Sequence, residues 1–346
     1  MEKSIKFGIQ LPHDPYDLIV RATLFAEKNG FDSVFTPDHL VGIGFKNWSS
    51  YEAFTLLGYL AGITTRVKLG TCVSDILRRH PAVVAQFAVT LHDFSNGRAI
   101  LGVGAGEGMN LLPYGIDAKN LVSKLEEGLE IIRLLFERDE VTYEGKYFRL
   151  KNAFVMPRKK VPLWVGANSP RTIELTAKFG DGWVPSAGNG PEVYKNNLKQ
   201  IRKKAKEYGR DDKIEAAVFG YVVVEREYEE ALRKIEMPAK LLAVMSPARK
   251  YFLKKAGIDE PDLPDLLKFT FNRETISKAI EIGKKIPFEV VKDRFIFGTP
   301  DDVIEKLEAF LKAGAEHFVL TPLVRHSDYI PTIRTLSEKV IPYFKN

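Results

Sequence analysis

Residues 67–75 read Val67-Lys68-Leu69-Gly70-Thr71-Cys72-Val73-Ser74-Asp75, and this stretch decides the fold. It opens with the alternation of apolar residues that marks a strand and breaks off in small and polar ones. Arg78-Arg79-His80-Pro81 then starts a helix that runs through Ala82-Val83-Val84-Ala85-Gln86. A strand whose carboxyl end stops in small residues offers a backbone surface on which a flat ligand can lie. Downstream, Ala99-Ile100-Leu101-Gly102-Val103-Gly104-Ala105-Gly106-Glu107 repeats the plan, and upstream Ser33-Val34-Phe35-Thr36-Pro37-Asp38-His39 has it too. Three strands ending in polar or glycine-rich turns point to one active-site face.

The same strand–helix unit recurs on both sides. Residues 5–11 alternate as a strand ending at Pro12-His13-Asp14-Pro15, and 16–29 form an amphipathic helix stopped by Gly30. After Asp38-His39 comes a loop carrying Gly42, Gly44 and Trp48, then a helix over 51–63. The helix over 81–94 ends at Ser95-Asn96-Gly97, a strong turn signal. Residues 104–115 read as a loop and 121–136 as a helix. A small hairpin over 141–150, turning at Glu144-Gly145, interrupts the rhythm. Strands follow at 162–166, 182–185, 216–224 and 317–321, with Ser169-Pro170 and Thr299-Pro300-Asp301-Asp302 as helix starts. Further helices are read at 191–208 and 329–344. Residues from about 225 to 292 are charged and helical, with breaks at Pro238, Pro247, Pro261 and Pro264, and read as an insertion.

Alternating βα units imply a parallel sheet with right-handed crossovers. Eight of them favour a closed (β/α)8 TIM barrel over an open sheet. The expectation is therefore a single α/β barrel domain over 1–346 with a helical insertion at about 225–292. A dinucleotide-binding reading of Gly102-Val103-Gly104-Ala105-Gly106 fails on spacing. Glu107 and Met109 stand where a third glycine is needed, and no acidic ribose anchor follows.

Composition narrows the classes. The 346 residues are 45% hydrophobic and 28% charged, an ordinary globular balance. No apolar run approaches the ~20 residues of a membrane span, and the amino terminus lacks the apolar region of a signal peptide. Cys72 is the single cysteine, which excludes intrachain disulfides and cysteine-cluster metal sites. A cytoplasmic protein is expected. The net charge of +6 comes from well-mixed side chains without a basic, aromatic-studded stripe, so no nucleic-acid partner is expected. A modest positive field favours an anionic small ligand. Glutamine is confined to Gln10, Gln86 and Gln200 while Lys and Glu abound, a pattern in keeping with a thermophile. No His/Asp/Glu set has metal-ligand spacing, and no G-x-S-x-G elbow occurs.

Several motifs together resemble the bacterial luciferase-like superfamily. They are Thr36-Pro37-Asp38-His39, Gly70-Thr71-Cys72-Val73, His80-Pro81-Ala82-Val83-Val84-Ala85-Gln86, the run from Ser95 through Glu107, the Glu144-Gly145-Lys146-Tyr147-Phe148 turn and Gly180-Asp181-Gly182-Trp183. Within it, Asp38-His39 and the Glu107 loop are most similar to the coenzyme F420-dependent branch. That branch includes methylenetetrahydromethanopterin reductase and the secondary alcohol and glucose-6-phosphate dehydrogenases.

The resemblance implies a set of roles. A non-proline cis peptide between Cys72 and Val73 would back the deazaflavin ring, and Asp38 would contact that ring. Gly106 and Asn110 resemble further cofactor contacts. Gly166-Ala167-Asn168 resembles the turn whose amides hold the phosphodiester, and a helix start suits that anion on physical grounds as well. Pro185-Ser186-Ala187 corresponds to the next cofactor-contacting strand end. His39 and Glu107 would carry the proton chemistry. An imidazole with an unperturbed pKa near ~6.5 suits acid/base work, and alternate barrel strands place side chains in one layer. The plain alternative is that His39 hydrogen-bonds Asp38 and Glu107 caps its own glycine loop.

Other residues carry less. Cys72 is read as small for steric reasons rather than as a nucleophile, His92 as structural and His80 as a helix-start residue. His13 and His326 end or follow strands and could line the pocket. Sugar-phosphate dehydrogenases of the branch carry a phosphate-binding lysine where Asn189 stands here, and a tryptophan shortly after the Asp-His pair, where this chain has Trp48 later. Arg294 matches one of their phosphate contacts. His13, Trp48 and Arg294 are thus the substrate candidates. The activity implied is hydride transfer between F420 and a small organic substrate, either methylenetetrahydromethanopterin-like or an alcohol/carbonyl. The alternatives are an FMN-dependent monooxygenase and a non-catalytic flavin-binding protein. A homodimer is expected.

Overall fold

The computed structural model describes residues 5–42, 49–210, 214–246, 248–259, 270 and 272–345. Eight parallel strands follow in chain order: β1 (Lys6–Gln10), β2 (Ser33–Thr36), β3 (Lys68–Thr71), β4 (Ala99–Gly104), β5 (Leu163–Gly166), β6 (Gly182–Val184), β7 (Glu215–Val224) and β8 (His317–Pro322). Each pairs with the next, and β8 returns to β1, so the sheet closes as a (β/α)8 barrel.

Strand alternation sorts the side chains into two cores. Phe7 and Ile9 of β1, Val34 of β2 and Leu101 and Val103 of β4 face the surrounding helices in the large outer core. Phe35, Ile100, Trp164, Val184, Ala217 and Val319 fill the barrel axis, with Cys72, Val73 and Phe219 packed against them. The amino-terminal end is sealed by a polar plug. His317 takes Ser33 Oγ at 2.7 Å on Nε2 and Glu215 Oε1 at 3.0 Å on Nδ1, while Lys6 Nζ reaches the same Glu215 oxygen at 2.9 Å.

The decisive stretch does not run through as one strand. β3 stops at Thr71 and resumes as Ser74–Asp75, which pairs with β4. Leu69 lies opposite Ala99 and Ser74 opposite Val103, so five steps on one strand face four on the other. The extra residue makes a bulge at Cys72-Val73, and the peptide between these two is cis.

Helix starts follow the local chemistry. Ser169 and Thr299 each close a capping box with a proline in the first turn, and His80 Nδ1 accepts the amide of Ala82 at 3.2 Å. The helix at Ala53–Ile63 begins two residues later than expected because the Glu52 carboxylate caps Thr55 N at 2.6 Å. The hairpin pairs Val141–Glu144 with Arg149–Ala153, and its turn is held by Glu127, which accepts the amides of Lys146, Tyr147 and Phe148. The 104–115 loop contains two short 3-10 turns, Gly108–Asn110 and Leu112–Tyr114.

The 225–292 segment holds helices at Tyr228–Met245, Arg249–Lys255 and Arg273–Lys285, around a separate core that includes Val223 and Phe295. Pro238 does not break its helix: Ile235, Ala239 and Leu241 are buried on either side of it, and packing carries the helix past the lost hydrogen bond. Pro247, Pro261 and Pro264 lie outside the described residues. A three-residue strand, Ile296–Gly298, pairs with the end of β7 and is too short to register as alternation. The closing helical run, His326–Thr335 continued through Leu336–Val340 to Ile341–Lys345, starts at His326, which places that histidine in the first turn. No helix among the described residues is long and apolar enough to cross a membrane.

Candidate active site

Because all eight strands are parallel, their carboxyl ends share one face. His13, Asp38, His39, Cys72, Val73, Gly106, Glu107, Gly166 and Ser186 therefore all follow strand ends on that face.

Asp38 is 2% exposed and its carboxylate is fully engaged by the protein. It accepts Ser74 Oγ at 2.5 Å and Arg79 at 2.8 and 3.2 Å, and Arg78 approaches to 3.0 Å. Arg78 also donates to the Asp38 carbonyl at 2.6 Å and to Asp75 at 2.6 Å, while Asp75 accepts the amides of Leu77 and Arg78. Arg79 extends the chain to Glu52 at 2.6 Å. This network ties the end of β2 to the far side of the β3 bulge. Asp38 thus sits beneath the opening as an anchor rather than presenting a free carboxylate.

His39 stands next to it and is not spent on Asp38. Its Nε2 lies 3.7 Å from Glu107 Oε2, and Nδ1 has no hydrogen-bond partner among the described residues. Glu107 keeps 35% of its side chain exposed, yet Oε2 is buried and has no hydrogen-bond partner among the described residues. Burial, with the Asp75 charge adding to it, pushes the Glu107 carboxyl up to about 7. Burial, with Arg78 adding to it, pushes His39 down to about 4. An ion pair would move both values the other way. Desolvation outweighs it here, so between those values the two groups are neutral. His13 completes the corner: its ring meets His39 edge-on at 5.1 Å, Nδ1 contacts Ser50 Oγ at 3.1 Å, and burial and His39 hold it down to about 3. His326 contacts Asp14 at 3.4 Å, one residue along from His13.

At the β3 bulge, between the strands that deliver His39 and Glu107, the wall is small. A Cβ on Gly104 would come within 2.7 Å of Val73 Cγ2, and one on Gly166 within 3.2 Å of the same atom. Val73 thus packs against bare backbone from two strands. Gly106 has φ +84°, the left-handed region open mainly to glycine. Burial pushes the Cys72 thiol upward, away from a nucleophilic thiolate.

The remaining expected contacts are placed as follows. Asn110 is buried and accepts Leu40 N at 2.9 Å, bridging the β2 and β4 loops. Ala167 N reaches Val184 O at 3.3 Å, and the amides of Asn168 and Ser169 share the Thr172 hydroxyl at 3.1 and 3.0 Å, so the turn satisfies these amides internally. Asn168 Oδ1 accepts Asn189 Nδ2 at 2.9 Å. Pro185 is buried, Ser186 exposed and Ala187 half-buried at the rim. Arg294 donates to Gly188 O at 2.6 Å and lies over the rings of Phe252 and Tyr251 at 4.4 and 5.4 Å, clamping the helical segment to the β6 loop. Trp48 lies outside the described residues.

Sequence reasoning missed Arg78, Arg79, Ser74 and Asp75. Their signal was the Arg-Arg pair just beyond the bulge, read there only as a helix start. It also missed Tyr221, registered with Thr321 of β8, whose hydroxyl burial pushes upward, with Glu107 and Cys72 adding to it. Among the described residues no three His, Cys, Asp or Glu side chains are grouped to hold a metal.

The barrel with this opening has many relatives. A 33% identical protein over 341 residues is the phthiodiolone/phenolphthiodiolone dimycocerosates ketoreductase of Mycobacterium tuberculosis, covering 95% of this chain and 86% of that one. The F420-dependent glucose-6-phosphate dehydrogenase of Nakamurella multipartita is 30% identical over 330 residues, covering 91% and 90%. An F420-dependent secondary alcohol dehydrogenase in complex with an F420–acetone adduct superposes with a TM-score of 0.82 at 25% identity, over 99% of this chain and 100% of that one. The coenzyme F420-dependent tetrahydromethanopterin reductase of Methanopyrus kandleri gives 0.79 at 25% identity, with the same coverage. The luciferase-like monooxygenase family profile matches residues 5–317, and the chain belongs to that family.

Proposed function

We propose that the chain is a coenzyme F420-dependent oxidoreductase acting on a carbonyl or secondary alcohol. One observation carries this reading: among the described residues, His39 Nδ1 and Glu107 Oε2 are buried without hydrogen-bond partners beside a wall of small residues at one barrel mouth. Buried polar atoms left unmade are costly, and their clustering here fits a ligand that completes them. The bulge at Cys72-Val73 with the bare backbone of Gly104 and Gly166 suits the face of a planar ring. Gly106, Asn110, Gly166, Ala167, Asn168, Pro185, Ser186 and Ala187 would hold the rest of the cofactor, with Asp38 supporting the bulge from below.

The deazaflavin, when bound, supplies or accepts the hydride. Glu107, protonated up to about pH 7, is the group able to give a proton to a carbonyl oxygen at neutral pH. In the oxidative direction the same carboxylate takes the alcohol proton. His39, neutral and 3.7 Å away, is placed to pass that proton on through a ligand lying between the two groups. His13 borders His39 on the substrate side.

The names of the relatives support an alcohol/carbonyl substrate. The segment after β7 is rich in aromatic side chains: Tyr221 stacks on Phe295 at 6.1 Å, and Phe297 meets Phe288 and Tyr228 at 5.4 and 5.5 Å, around the core of that segment. Arg294 is committed to Gly188 and two rings, which does not favour a sugar phosphate. The test is anaerobic and runs both ways: reduced F420 with ketones or methylenetetrahydromethanopterin, read by the return of F420 absorbance, and oxidised F420 with secondary alcohols or glucose 6-phosphate, read by its loss. Turnover confined to the sugar phosphate or the pterin would reject the alcohol/carbonyl assignment.

We also propose a homodimer. Tyr16, Tyr51 and Tyr59 remain 44, 43 and 46% exposed although Tyr16 meets the other two rings at 6.4 and 5.6 Å, an apolar patch suited to a second copy. Light scattering behind a sizing column would measure the state.

A further inference from the structure

A second group of unpaired polar atoms lies on the other side of the barrel mouth. Gln10 is 8% exposed, and its Oε1 is buried without a hydrogen-bond partner among the described residues. Thr321 Oγ1 is buried and unpartnered in the same way. The two are neighbours: β1 and β8 run parallel with Ile9 opposite Leu320, which brings Gln10 level with Thr321 one step on. On the other edge of β8, Thr321 is registered with Tyr221 of β7. Phe7, Ile9, Phe318 and Leu320 all pack outward in the helix-facing core, so by alternation Gln10 and Thr321 point into the barrel. In the closed eight-strand barrel β8 and β1 lie across the axis from β4 and β5, which carry Gly104 and Gly166 of the small-residue wall.

We propose that Gln10 and Thr321 form a subsite for a neutral group that both donates and accepts hydrogen bonds, such as a hydroxyl or a lactam edge. This rests on the oxidoreductase reading above and extends it to residues on β1 and β8. An amide and a hydroxyl each donate and accept, and neither carries a charge. A carboxylate or phosphate would therefore meet no counter-charge in this arc, whereas a neutral donor–acceptor pair satisfies both orphaned atoms. Two sources share that chemistry: the pyrimidine edge of the deazaflavin, and a polar group on the substrate. A ligand site of this kind also leaves a mark on the free protein, because its polar atoms go unpaired until the ligand arrives.

The experiment uses Gln10→Leu and Thr321→Val, the latter replacing the hydroxyl by a methyl of similar size, alone and combined in the full chain. Three quantities are read: the melting temperature of the free protein, the F420 Kd by fluorescence titration, and the KM of whichever substrate the wild type turns over. The expected result is a free-protein melting temperature equal to or above wild type. Each variant also loses roughly 3–10-fold in ligand affinity, the usual scale for one hydrogen bond. A loss in Kd assigns the subsite to the cofactor edge, and a loss in KM at unchanged Kd assigns it to the substrate. Lowered melting temperatures with unchanged Kd and KM would show a packing role and overturn the proposal, as would no change in any quantity. Failure of the wild type itself to bind F420 instead rejects the functional reading, and the same variants are then titrated with FMN, whose ring carries the same edge.

Discussion

His39 Nε2 and Glu107 Oε2 lie 3.7 Å apart, delivered by the ends of β2 and β4, strands that flank β3. That spacing is longer than a hydrogen bond and leaves both groups available to a ligand between or above them. His39→Ala and Glu107→Gln should each slow turnover by roughly 10²–10⁴-fold, the range for losing a general acid or base. F420 Kd should stay within a few-fold of wild type. Near wild-type turnover in both variants would move the proton chemistry to His13 or His326.

The pH dependence follows from the same pair. Carbonyl reduction needs protonated Glu107, so kcat/KM should fall as pH rises through about 7. Alcohol oxidation should rise over the same range. Stability follows with a defined sign, because Glu107 sits above its ordinary 4.5 in the folded state. The stability it contributes is fully present below about 4.5 and is lost as pH rises through about 7. Glu107→Gln should remove that trend and melt above wild type at pH 8. Thermal melts of both proteins across pH 5–9 check this.

The Asp38 network makes a separate claim about stability. Asp38→Ala would leave Arg78 and Arg79 facing a buried void without their shared carboxylate. Removing one partner of a buried pair costs about 3–5 kcal/mol. Urea unfolding of the free protein measures it, and a loss below about 1 kcal/mol would mean that the network does not hold the bulge.

The small-residue wall can be tested by overpacking. Gly104→Ala sets a methyl 2.7 Å from Val73 Cγ2, an overlap that must be relieved by movement of the bulge. Overpacking of this kind costs about 1–3 kcal/mol, and F420 affinity should fall with it. Val73→Ala in the same chain opens the space and should recover binding. If the double variant binds no better than Gly104→Ala, Val73 is not what the added methyl meets.

At the other end of the barrel the plug should matter for folding alone. Burial would raise Glu215, but hydrogen bonds from His317 and Lys6 outweigh it and hold the carboxyl down to about 2. Its stabilisation is therefore present above the ordinary 4.5 and lost as pH falls toward 2. Glu215→Gln should cost up to about 3 kcal/mol at pH 7, from the size of that shift. Its KM and kcat should match wild type, and a changed KM would contradict a purely structural plug.

What the sequence disclosed and what it hid have physical reasons. The barrel was legible because apolar alternation and turn residues are local: Asn96 and Gly97, read as a turn, both take positive φ, and Ser169 and Thr299 cap helices as their neighbours require. The end of β3 was visible as a strand stopping in small residues, while the bulge at Cys72-Val73 came only from the resemblance, because the extra residue shows only in the register with β4. Asp38 was legible as a site residue, but its partners are up to 41 residues away, and no local pattern says that Arg79 will reach it. The strand Ile296–Gly298 carries too few residues for a period. Gln10 looked like one polar residue in a strand, and only the register with β8 sets it beside Thr321.

The account turns on the cofactor. Equilibrium titration of the purified wild-type chain with F420 and with FMN, followed by fluorescence, tests it most directly. Saturable F420 binding with no comparable binding of FMN is the predicted result. Tight FMN binding with F420 excluded, and oxygen consumed when the bound flavin is reduced, would contradict it.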